Sequence, residues 1–258
     1  MTDLPLLEAE GLARAFGRRV ACRDVSLALW PGEVLAIVGE SGSGKTTLLN
    51  CLSGRLRPDA GRVTYRSVGG EAQDVWTASE ADRRRLMRAD WGMVHQNPRD
   101  GLRLRISAGG NVGERLMAVG ARNYGAIRSE AESWLRRVEI DADRIDDMPL
   151  GFSGGMQQRL QIARVLVSKP RLVFMDEPTG GLDVSVQARL LDLIRGLARD
   201  LGLAAVVVTH DLAVARLLAH RIAVMRGGSI VEEGLADRVL DDPHHPYTQL
   251  LVASVLPP

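Results

Sequence analysis

Chemistry enters this chain at Gly39-Glu40-Ser41-Gly42-Ser43-Gly44-Lys45-Thr46. The run fits G-x-x-x-x-G-K-[ST], a phosphate-binding loop. Its glycines let backbone N–H groups curl around phosphate oxygens with no Cβ in the way. Lys45 supplies a mobile positive charge for β- and γ-phosphates, and Thr46 offers a hydroxyl to Mg2+. A second group suits the same chemistry. Leu172-Val173-Phe174-Met175-Asp176 is an apolar strand ending in acid, placed to hold Mg2+ through Asp176, usually by way of water. The adjacent Glu177 stands where a general base or water-orienting group belongs. A third group, Phe152-Ser153-Gly154-Gly155-Met156-Gln157-Gln158-Arg159, opens a helix that runs through Val167 and forms another anion-binding end. Two phosphate-gripping helix starts in one chain imply a composite site, each nucleotide held between two copies.

The surrounding elements must present these residues. Val34–Val38 reads as a buried strand entering the loop, and Thr47–Leu52 as the helix leaving it. Leu6–Phe16 reads as a first strand with a turn at Gly17-Arg18-Arg19. Val25, Leu27 and Leu29 alternate with polar or small residues, and Pro31-Gly32 turns the chain, so Val25–Val38 is expected to form a hairpin. Residues 67–77 read as a surface loop, Ser79 as the cap of a helix carrying Arg83-Arg84-Arg85 on a solvated face, and Trp91–Gln96 as a short strand. Residues 97–110 read as irregular and basic, with helices at 111–119 and 127–138. Strand–helix alternation resumes from Arg171: helix 184–201, apolar strand 203–209, helix 212–219, then a hairpin about Gly227-Gly228. The expected fold is α/β, with a nucleotide-binding core over about 1–96 and 165–240, an inserted helical subdomain over about 97–164 and a tail at 241–258.

Composition narrows the functional classes. At 258 residues the chain can bury a sizeable core. A net charge of +1 gives no case for a nucleic-acid or membrane surface on bulk charge. Cys22 and Cys51 form no disulfide framework or metal spacing; both read as small core residues in a reducing, cytoplasmic setting. The acidic stretch Met1–Glu10 lacks the regions of a signal peptide, and the longest apolar runs are too short to span a bilayer.

These motifs, in this order, resemble the ATP-binding cassette (ABC) family over nearly the whole chain. The resemblance implies a P-loop NTPase fold with a RecA-like parallel sheet core, an N-terminal antiparallel β subdomain and a helical signature subdomain, with ATP and Mg2+ bound. It identifies Ser153 to Gln157 as the signature that lies on the γ-phosphate of a partner protomer, with Gly154 and Gly155 inside it. Gln96 matches the Q-loop glutamine that senses Mg2+ and the coupling partner. Gly181-Leu182-Asp183 matches the D-loop, His210 the switch histidine on the γ-phosphate, and Phe16 the aromatic that stacks on adenine. Phe152 stands for the usual leucine, Met156-Gln157 where a single glutamine is common, and Gly180-Gly181 where Ser-Ala is usual. The last bears on a side-chain contact across the dimer, and through it on hydrolysis rate. The acid, the base and the metal ligands are all present.

The tail Asp242-Pro243-His244-His245-Pro246-Tyr247-Thr248-Gln249-Leu250-Leu251 looks like that of dipeptide, oligopeptide and nickel importer ATPases. Residues 101–125, with Phe152–Arg164 and Gly180–Asp192, are similar to the ATP-binding subunit of the phosphonate carbon–phosphorus lyase system. That resemblance implies an accessory ATPase docked on the soluble lyase core complex, with Arg99, Arg103 and Arg105 expected on the docking surface. Two alternatives stand beside it: the ATPase of an importer with a membrane permease as partner, and a nucleotide-gated assembly clamp with little turnover. A DNA-repair cassette is disfavoured, with no coiled-coil or zinc insertion and no basic stripe for nucleic acid.

Overall fold

Alternation builds the first sheet. β1 (Leu7–Phe16) and β2 (Arg19–Leu29) pair antiparallel, from Leu7 opposite Leu29 to Phe16 opposite Arg19. Leu7, Leu12, Cys22, Val25 and Leu29 are buried, while Asp24 and Ser26 face out. β3 (Val34–Val38) is buried at all five positions and feeds α1 (Lys45–Leu52). β4 (Ala60–Arg66) joins β1, and the three-residue β5 (Ala72–Asp74) joins β4, giving the order β2-β1-β4-β5. α2 (Glu80–Ala89) starts after Ser79, whose Oγ accepts the Asp82 N–H at 3.1 Å. Then come β6 (Trp91–Val94), α3 (Pro98–Gly101), α4 (Ala108–Ala118), α5 (Tyr124–Arg137), α6 (Gly154–Leu166), β7 (Leu172–Asp176) and α7 (Val184–Leu201). The chain continues through β8 (Ala204–Val208), α8 (Leu212–Leu218), β9 (Arg221–Arg226), β10 (Ser229–Leu235), α9 (Ala236–Asp241) and α10 (Pro246–Val255).

This computed structural model describes residues 4–255, so the first three residues of the acidic N-terminal stretch and the last three of the tail lie outside it. Two compact units form: one runs up to Arg83 and resumes at Gly202, and the other is Arg84–Leu201. In the first, β3 is flanked in parallel by β8 and β9, and β10 pairs antiparallel with β9. In the second, β6 and β7 run parallel, with Val94 opposite Met175. Behind them α4, α5 and α6 pack around buried Trp134, Leu135, Val112 and Leu160. Among the described residues no helix is long and apolar enough to cross a membrane.

Three sequence expectations need correction. The Val25–Val38 hairpin does not form: β2 pairs with β1, and β3 pairs with β8 and β9. A five-residue apolar strand gains most where both faces are covered, whereas β2 has one wet face, so the two belong to different sheets. Residues 67–77 contain a strand because fully buried Val75 and half-buried Trp76, whose Nε1 donates to Cys51 O, tie the segment down. Residues 97–110 hold α3 and the start of α4, capped by the side chains of Asn97 and Ser107.

Cys22 and Cys51 are fully buried, as the sequence suggested. Burial, with Cys51 alongside, pushes the Cys22 thiol up to about 12, and burial likewise pushes Cys51 up to about 11. Both therefore stay protonated and unreactive near neutral pH. At about pH 8 a thiol-specific disulfide reagent should label neither in the folded chain and both after denaturation. Rapid labelling of the native chain would contradict this packing.

Candidate active site

The first unit carries the phosphate loop. β3 and β8 are neighbours in register, Ile37 opposite Val208, so the loop and His210 leave adjacent parallel strands at their C-terminal ends. That edge is where open α/β sheets place their chemistry. His210 is exposed; the next residue, Asp211, caps α8 by accepting the Ala213 N–H at 2.8 Å. The loop leaves no room for a side chain at Gly39 or Gly44. Gly44 has φ 111°, and a Cβ there would lie 2.0 Å from the Ala21 carbonyl oxygen. Lys45 is 6% exposed, its ammonium donating to the carbonyls of Gly39 at 2.7 Å and Glu40 at 2.8 Å. Ser43 Oγ is buried and has no hydrogen-bond partner among the described residues. A buried hydroxyl without a partner is costly, so this one is poised for a ligand oxygen. An enclosed ammonium, an unsatisfied hydroxyl and a Cβ-free backbone ring fit a phosphate chain. Ser41, Gly42 and Thr46 are exposed beside them, and Thr47 is half-buried in α1.

Phe16 ends β1 half-exposed, with the Arg14 guanidinium 4.9 Å above its ring. Opposite it, Arg19 Nη2 donates to the Gly42 carbonyl at 3.2 Å. The pairing of β1 with β2 thus ties the exposed aromatic to the loop. Arg19 escaped the sequence reading because nothing in one sequence reveals which arginine faces which carbonyl.

The second unit carries the acids. Asp176 closes β7 and Gln96 follows β6 by two residues, so both leave the C-terminal ends of one parallel pair. Glu177 is partly buried with φ 45°, a left-handed backbone uncommon for a side chain of its size. Its carbonyl accepts the Gly180 N–H at 2.9 Å. A Cβ at Gly180 would stand 3.3 Å from Gln96 Nε2, so the glutamine lies directly against this turn. Gly181 has φ 76°. Asp183 caps α7: its Oδ1 accepts the Val186 N–H at 3.0 Å and the Ser185 hydroxyl at 2.8 Å, and these bonds hold its carboxyl below the usual range.

Ser153 caps α6, its Oγ accepting the Met156 N–H at 3.3 Å, and Ser153 and Gly154 are exposed at that helix start. Gly155 leaves room for Val186, whose Cγ1 would be 2.7 Å from a Cβ. Gln157 does not join them at the surface. Its side chain is buried and Nε2 donates inward to Pro149 O at 2.8 Å and Phe152 O at 3.2 Å, locking the turn before the helix. Arg103, expected on the surface loop with Arg99 and Arg105, is paired to Glu114 at 2.6 Å.

Two further glutamines, Gln158 and Gln161, have a role that the sequence reading did not assign. Gln161 Oε1 accepts the His95 N–H at 2.7 Å, and its Nε2 donates to His95 O at 3.1 Å and Gln158 Oε1 at 3.1 Å. Gln158 Nε2 donates to Pro178 O at 2.9 Å and His95 O at 3.3 Å. This buried amide pair braces the backbone just before Gln96 and just after Glu177. Their i, i+3 spacing on an amphipathic helix was the available signal. Replacing Gln161 with Leu removes the Oε1 acceptor of the His95 N–H and one of the two amides on the His95 carbonyl, at a cost of about 1–3 kcal/mol. We expect a lower unfolding midpoint and a kcat for ATP hydrolysis reduced more than ATP affinity. A variant with wild-type kcat would refute the brace.

The ABC transporter family profile matches residues 22–180. The chain is 66% identical to the "Putative phosphonates utilization ATP-binding protein PhnK" of Escherichia coli strain K12, over 98% of both chains. It is 37% identical to the "Dipeptide transport ATP-binding protein DppD" of Bacillus subtilis strain 168, covering 91% of this chain and 71% of that one. Among solved structures it is similar to the dimeric post-hydrolysis state of the ATP-binding cassette MJ0796 bound to ADP and Pi. The TM-score there is 0.79 at 28% identity, covering 89% of this chain and 98% of that one.

Proposed function

This chain belongs to the ABC transporter family and is an ATPase of the cassette type; we propose that it works as a dimer on a soluble carbon–phosphorus lyase complex in phosphonate utilisation. The observation that carries the reading is the 66% identity, end to end, with a phosphonate-utilisation ATP-binding protein.

The mechanism follows from the residues. Phe16 stacks on adenine, the Gly39–Thr46 loop cradles the phosphates, and Lys45 exchanges its two carbonyl partners for β- and γ-oxygens. The hydroxyl of Thr46, the amide oxygen of Gln96 and the carboxylate of Asp176 are hard oxygen donors, the set that suits Mg2+. When bound, the ion neutralises charge on the β- and γ-oxygens. Ser153, Gly154 and Gly155 of a second copy present an exposed helix start to the γ-phosphate. Glu177 accepts a proton from the attacking water or orients it, and His210 holds the γ-phosphate in line. Hydrolysis removes charge bridging the two copies, and they part.

Glu177→Gln keeps shape while removing the base, so it should bind ATP and trap the closed dimer. Affinity capture of that variant with Mg-ATP from its native host, followed by mass spectrometry, should recover soluble lyase subunits. Recovery of a membrane permease would make the chain an importer ATPase instead. In the same assay Arg99→Glu with Arg105→Glu, both exposed, should lower recovery while ATP affinity is kept. Unchanged recovery would remove these arginines from the docking surface.

A further inference from the structure

The histidine–proline–tyrosine tail is the motif whose function the cassette chemistry leaves unassigned. In the structure it reaches the phosphate loop. Tyr247, near the start of α10, is 7% exposed, and its hydroxyl accepts the backbone N–H of Glu40 at 3.0 Å. Glu40 is the second residue of the loop, and its carbonyl is one of the two that hold the Lys45 ammonium. The Glu40 N–H also shares its peptide unit with the Gly39 carbonyl, the other acceptor of that ammonium, so the Tyr247 contact sits on the lysine's resting place.

The tail is built to hold that hydroxyl in position. The Glu232 carboxylate, on β10, accepts the N–H groups of His244 at 2.8 Å and His245 at 3.0 Å. His245 Nδ1 accepts the Tyr247 N–H at 3.1 Å, and Gln249 Nε2 donates to Pro243 O at 3.0 Å. The Arg226 guanidinium covers the tyrosine ring at 4.8 Å. The ring joins the buried cluster of Val38, Val224, Val239 and Leu240, with Leu251 and Val252 packed against it. Val38 is the last residue of the strand that enters the loop. On the same side the carbonyl of Met225, the neighbour of Arg226, closes on Gly39, where a Cβ would lie 2.2 Å away.

We propose that Tyr247 is a positioning residue for nucleotide binding, fixing the entry of the phosphate loop through the Glu40 amide and so presetting Lys45 for the phosphates. Without the hydroxyl the Glu40 amide loses its protein acceptor, and the loop pays its ordering entropy when nucleotide arrives. The role rests on the reading that this loop binds nucleotide, which the wild-type measurement tests by itself.

The test compares the full-length wild type with Tyr247→Phe, which keeps the ring and removes one oxygen. Kd for ATP and for ADP is measured by fluorescence titration well below each protein's unfolding midpoint, alongside amide hydrogen exchange at Glu40. We expect Kd to rise about three- to tenfold, the scale of one net hydrogen bond. KM for ATP should rise in step, kcat should change little, and the Glu40 amide should exchange faster. A purely structural tyrosine would lower the midpoint and leave Kd of the folded protein unchanged, and that result overturns the proposal. Where Tyr247→Phe fails to fold, Glu232→Gln, which weakens the anchor of residues 243–245, should raise Kd in the same direction, and an unchanged Kd there overturns it equally. A wild-type chain that binds neither nucleotide overturns the nucleotide reading and this proposal together. A wild-type chain that binds, with a variant that binds equally, overturns the positioning role alone.

Discussion

A buried positive charge among backbone carbonyls sets the terms for the nucleotide end of this molecule. Burying an ammonium is expensive unless oxygen atoms meet it, and Lys45 is met by the carbonyls of Gly39 and Glu40. Those carbonyls can turn inward only because the loop has no Cβ where it passes Ala21 and Met225. Partial charges on carbonyls are weaker partners than phosphate oxygens, so the lysine is satisfied enough to fold and underpaid enough to bind. The strands that hold the loop follow from the same need. β3 must be covered on both faces to deliver a rigid turn, and β8 and β9 supply its parallel neighbours. The β9–β10 turn then closes on the loop, Gly228 donating its N–H to Ser43 O at 2.9 Å.

The acidic end solves the opposite problem. Asp176 and Glu177 are carboxylates at the end of an apolar strand, and their usefulness depends on direction rather than on burial. Direction comes from the backbone. The backbone turns left-handed at Glu177 and is closed there by the Gly180 amide. Gln158 and Gln161 reach from α6 to the peptide groups on either side of this machinery, at His95 and Pro178. The helix whose start leaves Ser153 and Gly154 exposed is therefore the same body that braces the backbone before Gln96 and after Glu177.

Much of this was legible in the sequence, and the reasons for the misses are physical. The loop, the acid-ended strand and the Ser-Gly-Gly helix start were readable because each requires particular residue types at fixed spacing. α7 spans Val184–Leu201, the range read from the sequence. The Val25–Val38 hairpin was misassigned because a Pro-Gly turn says that the chain reverses and not which strand becomes its partner. Gln157 was grouped with the nucleotide contacts because a motif fixes neighbours in sequence, while the helix turns that side chain inward. The long-range contacts of Arg19 and Tyr247 leave no local trace, since a side chain that bonds a distant peptide group needs no particular neighbours.

The D-loop glycines show how a departure from family pattern is weighed by geometry. Gly180-Gly181 stands where the family resemblance leads one to expect Ser-Ala. The backbone says otherwise. At Gly181 φ is 76°, where an alanine would carry strain of about 1–2 kcal/mol. At Gly180 a Cβ would press on Gln96 at 3.3 Å and on the Glu177 carbonyl at 3.2 Å. The two glycines are what this loop conformation requires for Gln96 to lie against the Glu177 turn. The departure is therefore a packing requirement of this turn, which a serine and an alanine would each strain.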